Sequence, residues 1–446
     1  MNVTSIRSRI LFVAWPIILS NISVPLLGLV DTAVIGNLGD PALLGAIAVG
    51  GMIFSFLYWG FGFLRMGTTG LVAQASGAER DDEVKAATYR AAGIALIIAV
   101  AILALQVPLQ LLALHLVEGS QQVESGAADY FRIRIWAAPF SMLNMVVLGY
   151  FLGQQQSRIV LMIQLLMNGI NIVLDLVFVI FLGLGVAGVA SATVIAEAVA
   201  TMTGLYLVRR HLLLSYGSLR VSMTLLRDLQ TWLHTLAVNR DIMIRTLCLI
   251  FAFAWFTNEG AMAGDIVLAS NAILMQFVSF SAFFLDGFAL AGESLVGRAV
   301  GSRQAEELRR VIRHVHELGL MTAILLSTVF YLCGPMMIDG LTSSQPVRDT
   351  ARQFLPWAVL APVTSLWCYM LDGIFIGATC TREMRDAMIA SLLIYLGAWA
   401  LASPALGNHG LWLALHVYFL ARAACLAFYL PRVYQRVPGE LHSPLE

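Results

Sequence analysis

Residues 24–39 read VPLLGLVDTAVIGNLG, an almost wholly apolar stretch interrupted by one carboxylate, Asp31. Runs of this kind recur along the whole chain, each cut by Gly, Pro or a charged cluster. Many exceed the roughly 20 residues that a helix needs to cross about 30 Å of hydrocarbon. The pattern predicts about twelve helical spans, with limits near 10–36, 41–76, 86–112, 126–153, 158–182, 186–209, 231–257, 266–299, 309–334, 347–379, 384–404 and 408–431. The expected fold class is therefore all-α and polytopic, with several spans long enough to tilt or to project beyond the bilayer.

Composition narrows the classes further. The 446 residues are 59% hydrophobic and only 12% charged, with a mean hydropathy of +0.81, which leaves no room for a large soluble domain. The first span, about Leu11 to Ile35, is too long for a signal-peptide core and is expected to belong to the mature structure. A net charge of zero and the lack of a Walker-type loop give no sign of a nucleic-acid or nucleotide partner. The five cysteines are scattered without a CxxC pair, and His314 and His316, spaced i,i+2, lie on different helix faces. No disulfide, bound cofactor or zinc centre is expected, and nothing in the sequence marks an enzyme.

Charge gives the orientation. Basic residues fall in alternate connections: Arg7 and Arg9; Arg80 and Lys85; Arg158; Arg209, Arg210, Arg220 and Arg227; Arg303 to Arg313; Arg382 and Arg385; Arg432 and Arg436. By the positive-inside rule these connections and both termini are cytoplasmic.

The chain also matches itself. At a constant offset of about 224, LVAQASGAERDDEVK (71–85) lies over LVGRAVGSRQAEELR (295–309). Ser55-Phe56 likewise lies over Ser279-Phe280, and Gly153 and Arg158 over Gly377 and Arg382. An even number of spans per half makes this a parallel repeat, two pseudo-symmetric bundles of about six helices. The expected division is an N-lobe at 1–210, a cytoplasmic linker at 211–230 and a C-lobe at 231–446. Two homologous bundles with a cleft between them are the usual build of an alternating-access transporter.

A carboxylate in hydrocarbon costs several kcal/mol, about 2.5–3.5 on insertion scales, so such residues mark functional sites by default. Asp31, Asp175 and Thr193 all fall roughly 8–12 Å below the outer surface, counted at 1.5 Å per residue. Asn171 shares a helix face with Asp175, Glu197 shares one with Thr193, and Tyr130 has a similar depth. Together they can line a polar pocket that takes up a proton, or holds Na⁺ at Asp31, Asn171, Asp175 and Thr193; alternatively each merely bonds a neighbouring helix. Arg65 either offsets acidic charge in the cavity or anchors carbonyls, and Asp286 and Asp372, about 15 Å from the cytoplasmic end, are placed to face the central cleft. Glu197 and Arg65 join them as substrate-cavity candidates. Pro16 and Pro25 each remove a helix hydrogen bond from the span that carries Asp31, which makes them hinge candidates. Pro139 and Pro362 occupy matching places in spans 4 and 10.

The stretches PLLGLVDTAVIGNLG (25–39), FLRMGTTGLVAQASGA (63–78), NGINIVLD (168–175), GVAGVASATVIAE (185–197), LDGFA (285–289) and LDGIFIGAT (371–379) resemble the MATE family of multidrug and toxic compound extrusion, specifically its DinF-type branch. The resemblance covers essentially the whole chain and implies the MATE fold of the MOP superfamily. It also implies a multi-pass protein of the bacterial inner membrane that works as a monomer among membrane lipids. The implied activity is antiport, in which inward H⁺, with Na⁺ as the other option, drives export of drugs or toxic amphipathic organic cations. Onto the family's N-lobe network fall Asp31, Tyr130, Asn171, Asp175 and Thr193, and onto the proline of first-helix bending falls Pro16. One departure stands out: NorM-type relatives carry an acid in helix 7, whereas CLIFAFAWF (248–256) has none, which argues against a C-lobe cation site. A flippase for lipid-linked anionic precursors is the rival reading, and it requires a cationic cleft.

Overall fold

The structure is a computed structural model that describes residues 5–36, 41–115 and 120–437; of residues 26–36, 41 and 42 it describes the backbone alone. Among the described residues all regular structure is helical. In chain order the helices are α1 (Ile6–Gly36), α2 (Pro41–Trp59), α3 (Phe63–Gly77), α4 (Asp81–Ala104), α5 (Gln106–His115), α6 (Gln121–Arg134), α7 (Ala138–Gly153), α8 (Ser157–Asp175), α9 (Gly185–Tyr216) and α10 (Met223–Arg227). They continue with α11 (Leu229–Met262), α12 (Asp265–Gly301), α13 (Ala305–Leu341), α14 (Gln345–Gly377), α15 (Thr381–Leu406) and α16 (Asn408–Gln435).

Eleven spans among the described residues are long and apolar enough to cross a membrane, with α2–α3 and α6–α7 each forming one of them. The twelfth expected span is α11. It has 34 residues but carries Arg240, Asp241, Arg245 and Glu259, which lower its apolar character. Large apolar side chains such as Ile97, Phe181 and Leu401 stand 67%, 78% and 84% exposed. In water these would be unfavourable; in lipid they are the normal outer surface of a helical bundle.

The chain divides into two compact units. One comprises Met1–Ile18, Gly77–Glu79 and Ala237–Glu446, and the other Leu19–Ser76 and Arg80–Leu236. The first half of α1 thus belongs with the later helices. Its Arg9 pairs with Glu307 at 2.7 Å and Arg7 with Glu317 at 2.8 Å, both on α13, while the Ile18 side chain fills the space in front of Gly287 on α12. The unit boundary falls two residues beyond Pro16. Helix α1 itself runs without interruption through Pro16 and Pro25.

The sequence duplication reappears as repeated geometry. Helix starts recur at a spacing of 224 residues: Pro41 and Asp265, Asp81 and Ala305, Gln121 and Gln345, Ser157 and Thr381. Among the described residues four non-glycine residues adopt positive φ, and they form two such pairs, Glu79 (φ 56°) with Arg303 (φ 56°) and Gln155 (φ 58°) with Thr379 (φ 51°). The turns that contain them close with matched hydrogen bonds. Arg80 N–H donates to Ala75 O as Gln304 N–H does to Ala299 O, both at 3.0 Å, and Gln156 N–H to Phe151 O as Cys380 N–H does to Phe375 O, at 2.8 and 2.9 Å.

Close helix contacts repeat in the same way. A Cβ added at Gly149 or Gly153 of α7 would meet the carbonyl oxygens of Arg65 and Thr69 on α3 at 2.6 and 2.9 Å. The counterparts Gly373 and Gly377 of α14 press against the carbonyls of Ala289 and Glu293 on α12. Small residues that let backbones touch are the main device for packing helices in lipid, where no hydrophobic force drives them together. The matching prolines behave differently. Pro139 begins α7 just after a 3₁₀ turn at Ile135–Ala137, whereas Pro362 lies inside the unbroken α14.

The connection between α9 and α11 is tied down to α4. Lys85 Nζ, Tyr89 OH and Arg90 Nη1 donate to the carbonyls of Arg220, Leu219 and Leu225 at 3.2, 3.0 and 3.2 Å. Thr231 and the N–H of Gln230 hold the Asp228 carboxyl at the start of α11 below the usual carboxylate range.

The glycine contact gives a direct test. Gly377→Ala should lower the stability of the detergent-solubilised protein by about 1–3 kcal/mol, because its methyl has only backbone to push against. Gly397→Ala, at a site with nothing within 4 Å, should be neutral or stabilising. Thermal unfolding of the two variants side by side checks both.

Candidate functional site

Helix α8 presents Gln164, Asn168, Asn171 and Asp175 at helical spacing, one polar stripe on an otherwise apolar rod. Asn171 Nδ2 donates to Thr193 Oγ1 on α9 at 3.4 Å, and the Thr193 hydroxyl donates to Val189 O, its own preceding turn, at 2.9 Å. Lower on the stripe Gln164 Nε2 donates to Asn168 Oδ1 at 3.2 Å, and Asn168 Nδ2 to Ser23 Oγ of α1 at 3.0 Å. The α8 stripe therefore links α9 on one side with α1 on the other.

Asp175 is the last α-helical residue of α8, and its side chain is 1% exposed. The next six residues, Leu176–Phe181, wind as a π-helix, a distortion that gathers at functional sites. The link to α9 then turns on Gly183 and Gly185, with φ of +66° and +52°, where a side chain would be strained.

Asp31 lies in α1, but its side chain falls outside the described residues. Its height still follows from the backbone. Starting at the Ser23–Asn168 contact, Asp31 is eight residues further along α1 and Asp175 seven further along α8, so each rises about 10–12 Å on helices that cross in the same direction. The duplicated unit gives a second indication. Residues 224 positions beyond Asp31 and Asp175 are Trp255 and Trp399, whose rings meet edge to face with centroids 5.0 Å apart.

Tyr130 is buried at 6% exposure, packed against Gly50 and edge-on to Phe54 at 6.1 Å between centroids. Glu197, one turn beyond Thr193, is turned to another partner set: Arg134 Nη2 donates to its Oε1 and the Ser141 hydroxyl to its Oε2. Arg65 of α3 is half-buried, with Nη1 enclosed and lacking an acceptor among the described residues. Pro16 is buried and Pro25 exposed.

In the other unit Asp372 of α14 is 4% exposed, and its Oδ2 accepts from Arg245 Nη2 on α11 and from Arg422 Nη2 on α16, the latter at 2.6 Å. Arg422 also lies over the Tyr418 ring, 5.5 Å from its centroid. Asp286, on α12, is half-buried. Arg134, Arg245 and Arg422 are not among the residues expected from sequence, although Arg422 is a lone cation in an apolar run, the same signal that singles out Asp31. Among the described residues no group of three His, Cys, Asp or Glu side chains converges to hold a metal ion.

Removing the shared carboxylate with Asp372→Leu should cost about 3–5 kcal/mol, since two guanidiniums would be left buried without their acceptor. Thermal unfolding in detergent measures it, with the exposed Asp349→Leu as the neutral comparison.

Comparison with known proteins adds the following. The MatE family model matches residues 16–177 and 242–398. The chain is 42% identical over 424 residues to the DNA damage-inducible protein F of Escherichia coli, covering 95% of this chain and 92% of that protein. It is 24% identical to the chloroplastic protein DETOXIFICATION 44 of Arabidopsis thaliana, over 96% of this chain and 83% of that one. A solved multidrug resistance MATE family transporter of the MOP superfamily, in an outward-facing conformation, superposes with a TM-score of 0.86 at 19% identity, over 98% of both chains.

Proposed function

The chain belongs to the MatE family, and from that membership we propose that it is a cation-coupled antiporter that exports amphipathic or cationic organic compounds. It is an integral, multi-pass protein of the cytoplasmic membrane, and members of its family are transporters. In the proposed cycle H⁺, or in second place Na⁺, enters from outside and binds between Asp31 and Asp175. Asn171, Thr193 and Tyr130 complete the site, and no bound cofactor takes part.

The observation that carries the reading is the buried Asp175 at the head of the α8 stripe, on the face that also carries Asn171, whose amide bonds Thr193. A carboxylate pair at one depth in a low dielectric does not hold two negative charges cheaply, so uptake of one cation is favoured. The Trp255–Trp399 contact supports the proximity of the two acids, because backbone geometry repeats so closely between the halves. The π-helix beside Asp175 and the prolines of α1 supply segments that can rearrange when the charge changes. Linkage then requires that cation and drug each weaken binding of the other.

The test is export of a fluorescent organic cation from proteoliposomes under an imposed gradient. An acidic exterior should accelerate export by the wild-type protein. Asp175→Asn and Asp31→Asn should each reduce it to the rate seen without a gradient. Undiminished gradient-driven export by both variants would overturn the assignment, and replacing the pH gradient by a Na⁺ gradient distinguishes the two ions.

A further inference from the structure

Arg134 has no part in the coupling cluster, yet its surroundings have the composition of a ligand site. Its guanidinium carbon lies 5.4 Å from the ring centroids of both Phe54 and Tyr58, which follow one another at i,i+4 on α2. Phe131 packs behind Phe54 with centroids 5.1 Å apart. Beside the guanidinium stands the Glu197 carboxylate, braced by the Ser141 hydroxyl. Aromatic faces together with one carboxylate form the chemistry that recognises organic cations of delocalised charge.

Arg134 fills this cage incompletely. Its Nη2 pairs with Glu197, but Nη1 is enclosed and lacks an acceptor among the described residues, with the side chain 8% exposed. Structural ion pairs in apolar surroundings hold when their donors are satisfied, and this one leaves a charged donor unused. Arg134 is also the last residue of α6, immediately before the 3₁₀ turn Ile135–Ala137 and Pro139. Such a break within a span is where a helix can pivot.

We propose that Phe54, Tyr58 and Glu197 form an organic-cation subsite and that Arg134 is its resident occupant, displaced when a delocalised cation enters. The guanidinium keeps Glu197 neutralised while the subsite is empty, and the break after α6 allows it to withdraw. Only the class of ligand rests on the transport reading above; the cage itself stands on its own geometry.

The probe is tetraphenylphosphonium, titrated into the purified full-length protein at mildly alkaline pH. Arg134→Gln should bind it about tenfold more tightly than the wild type, the size of one desolvated cation–π contact. Arg134→Lys, which keeps a charge for Glu197, should show a smaller gain and serves if Arg134→Gln does not fold. Adding Glu197→Gln or Phe54→Leu to either variant should abolish the gain. No gain in both Arg134 variants, or a gain that survives loss of Glu197, overturns the proposal. If the wild type moves no organic cation under any gradient while the binding gain persists, the transport reading fails and the subsite stands.

Discussion

Hydrocarbon solvates charge poorly, so an ionised side chain within a span turns to the bundle interior, to a water-filled cavity or to a partner. This constraint shapes both units. Asp372 draws α11 and α16 to α14 through Arg245 and Arg422. Glu197 draws α6 and α7 to α9 through Arg134 and Ser141. Neutral polar groups follow the same rule at lower cost: Asn271 and Asn408 exchange amide hydrogen bonds at 2.8 and 2.9 Å, and the Trp412 indole donates to the same Asn271 carbonyl. Apolar packing in lipid is only weakly selective between helix neighbours, and these polar contacts fix which helices meet.

The two halves share a backbone and differ in chemistry. Turns, helix starts and glycine contacts recur 224 residues apart, because they depend on backbone conformation and on the absence of a Cβ. Side chains are free to diverge on that scaffold. The acids of the first half, Asp31 and Asp175, have the tryptophans Trp255 and Trp399 as counterparts, while Asp372 of the second half has Leu148. A proton or cation site therefore need not be doubled when the fold is doubled.

The helical spans and the duplication were legible in the sequence, since they rest on apolar run length and backbone-determining glycines. Helix α11, the expected span that is not among the eleven, holds its charges in pairs: Arg240 and Asp241 at 2.9 Å, and Asp241 with Arg385 at 2.9 Å. The stripe on α8 was legible too, because residues on one helix share a face by periodicity alone. Partners on different helices were not. Glu197 shares a face with Thr193, but its carboxylate is held by Arg134, which is 63 positions earlier in the chain. Nothing local records that distance. Arg422 could have been flagged as a lone cation in an apolar run, yet its convergence with Arg245 on one oxygen of Asp372 depends on tertiary packing.

That convergence bears on where a cation can bind. At Asp372 an incoming ion would have to displace a guanidinium already bonded to Oδ2, and a second guanidinium would remain to repel it. On the Asp175 face of α8, Asn171 one turn earlier and its partner Thr193 on α9 are an amide and a hydroxyl, which can ligate or donate without bringing a competing charge. The lack of an acid in residues 248–256 and the presence of Arg245 just before them point the same way. Both argue against an exchangeable cation at Asp372, whose carboxylate is held in a fixed internal pair with two guanidiniums.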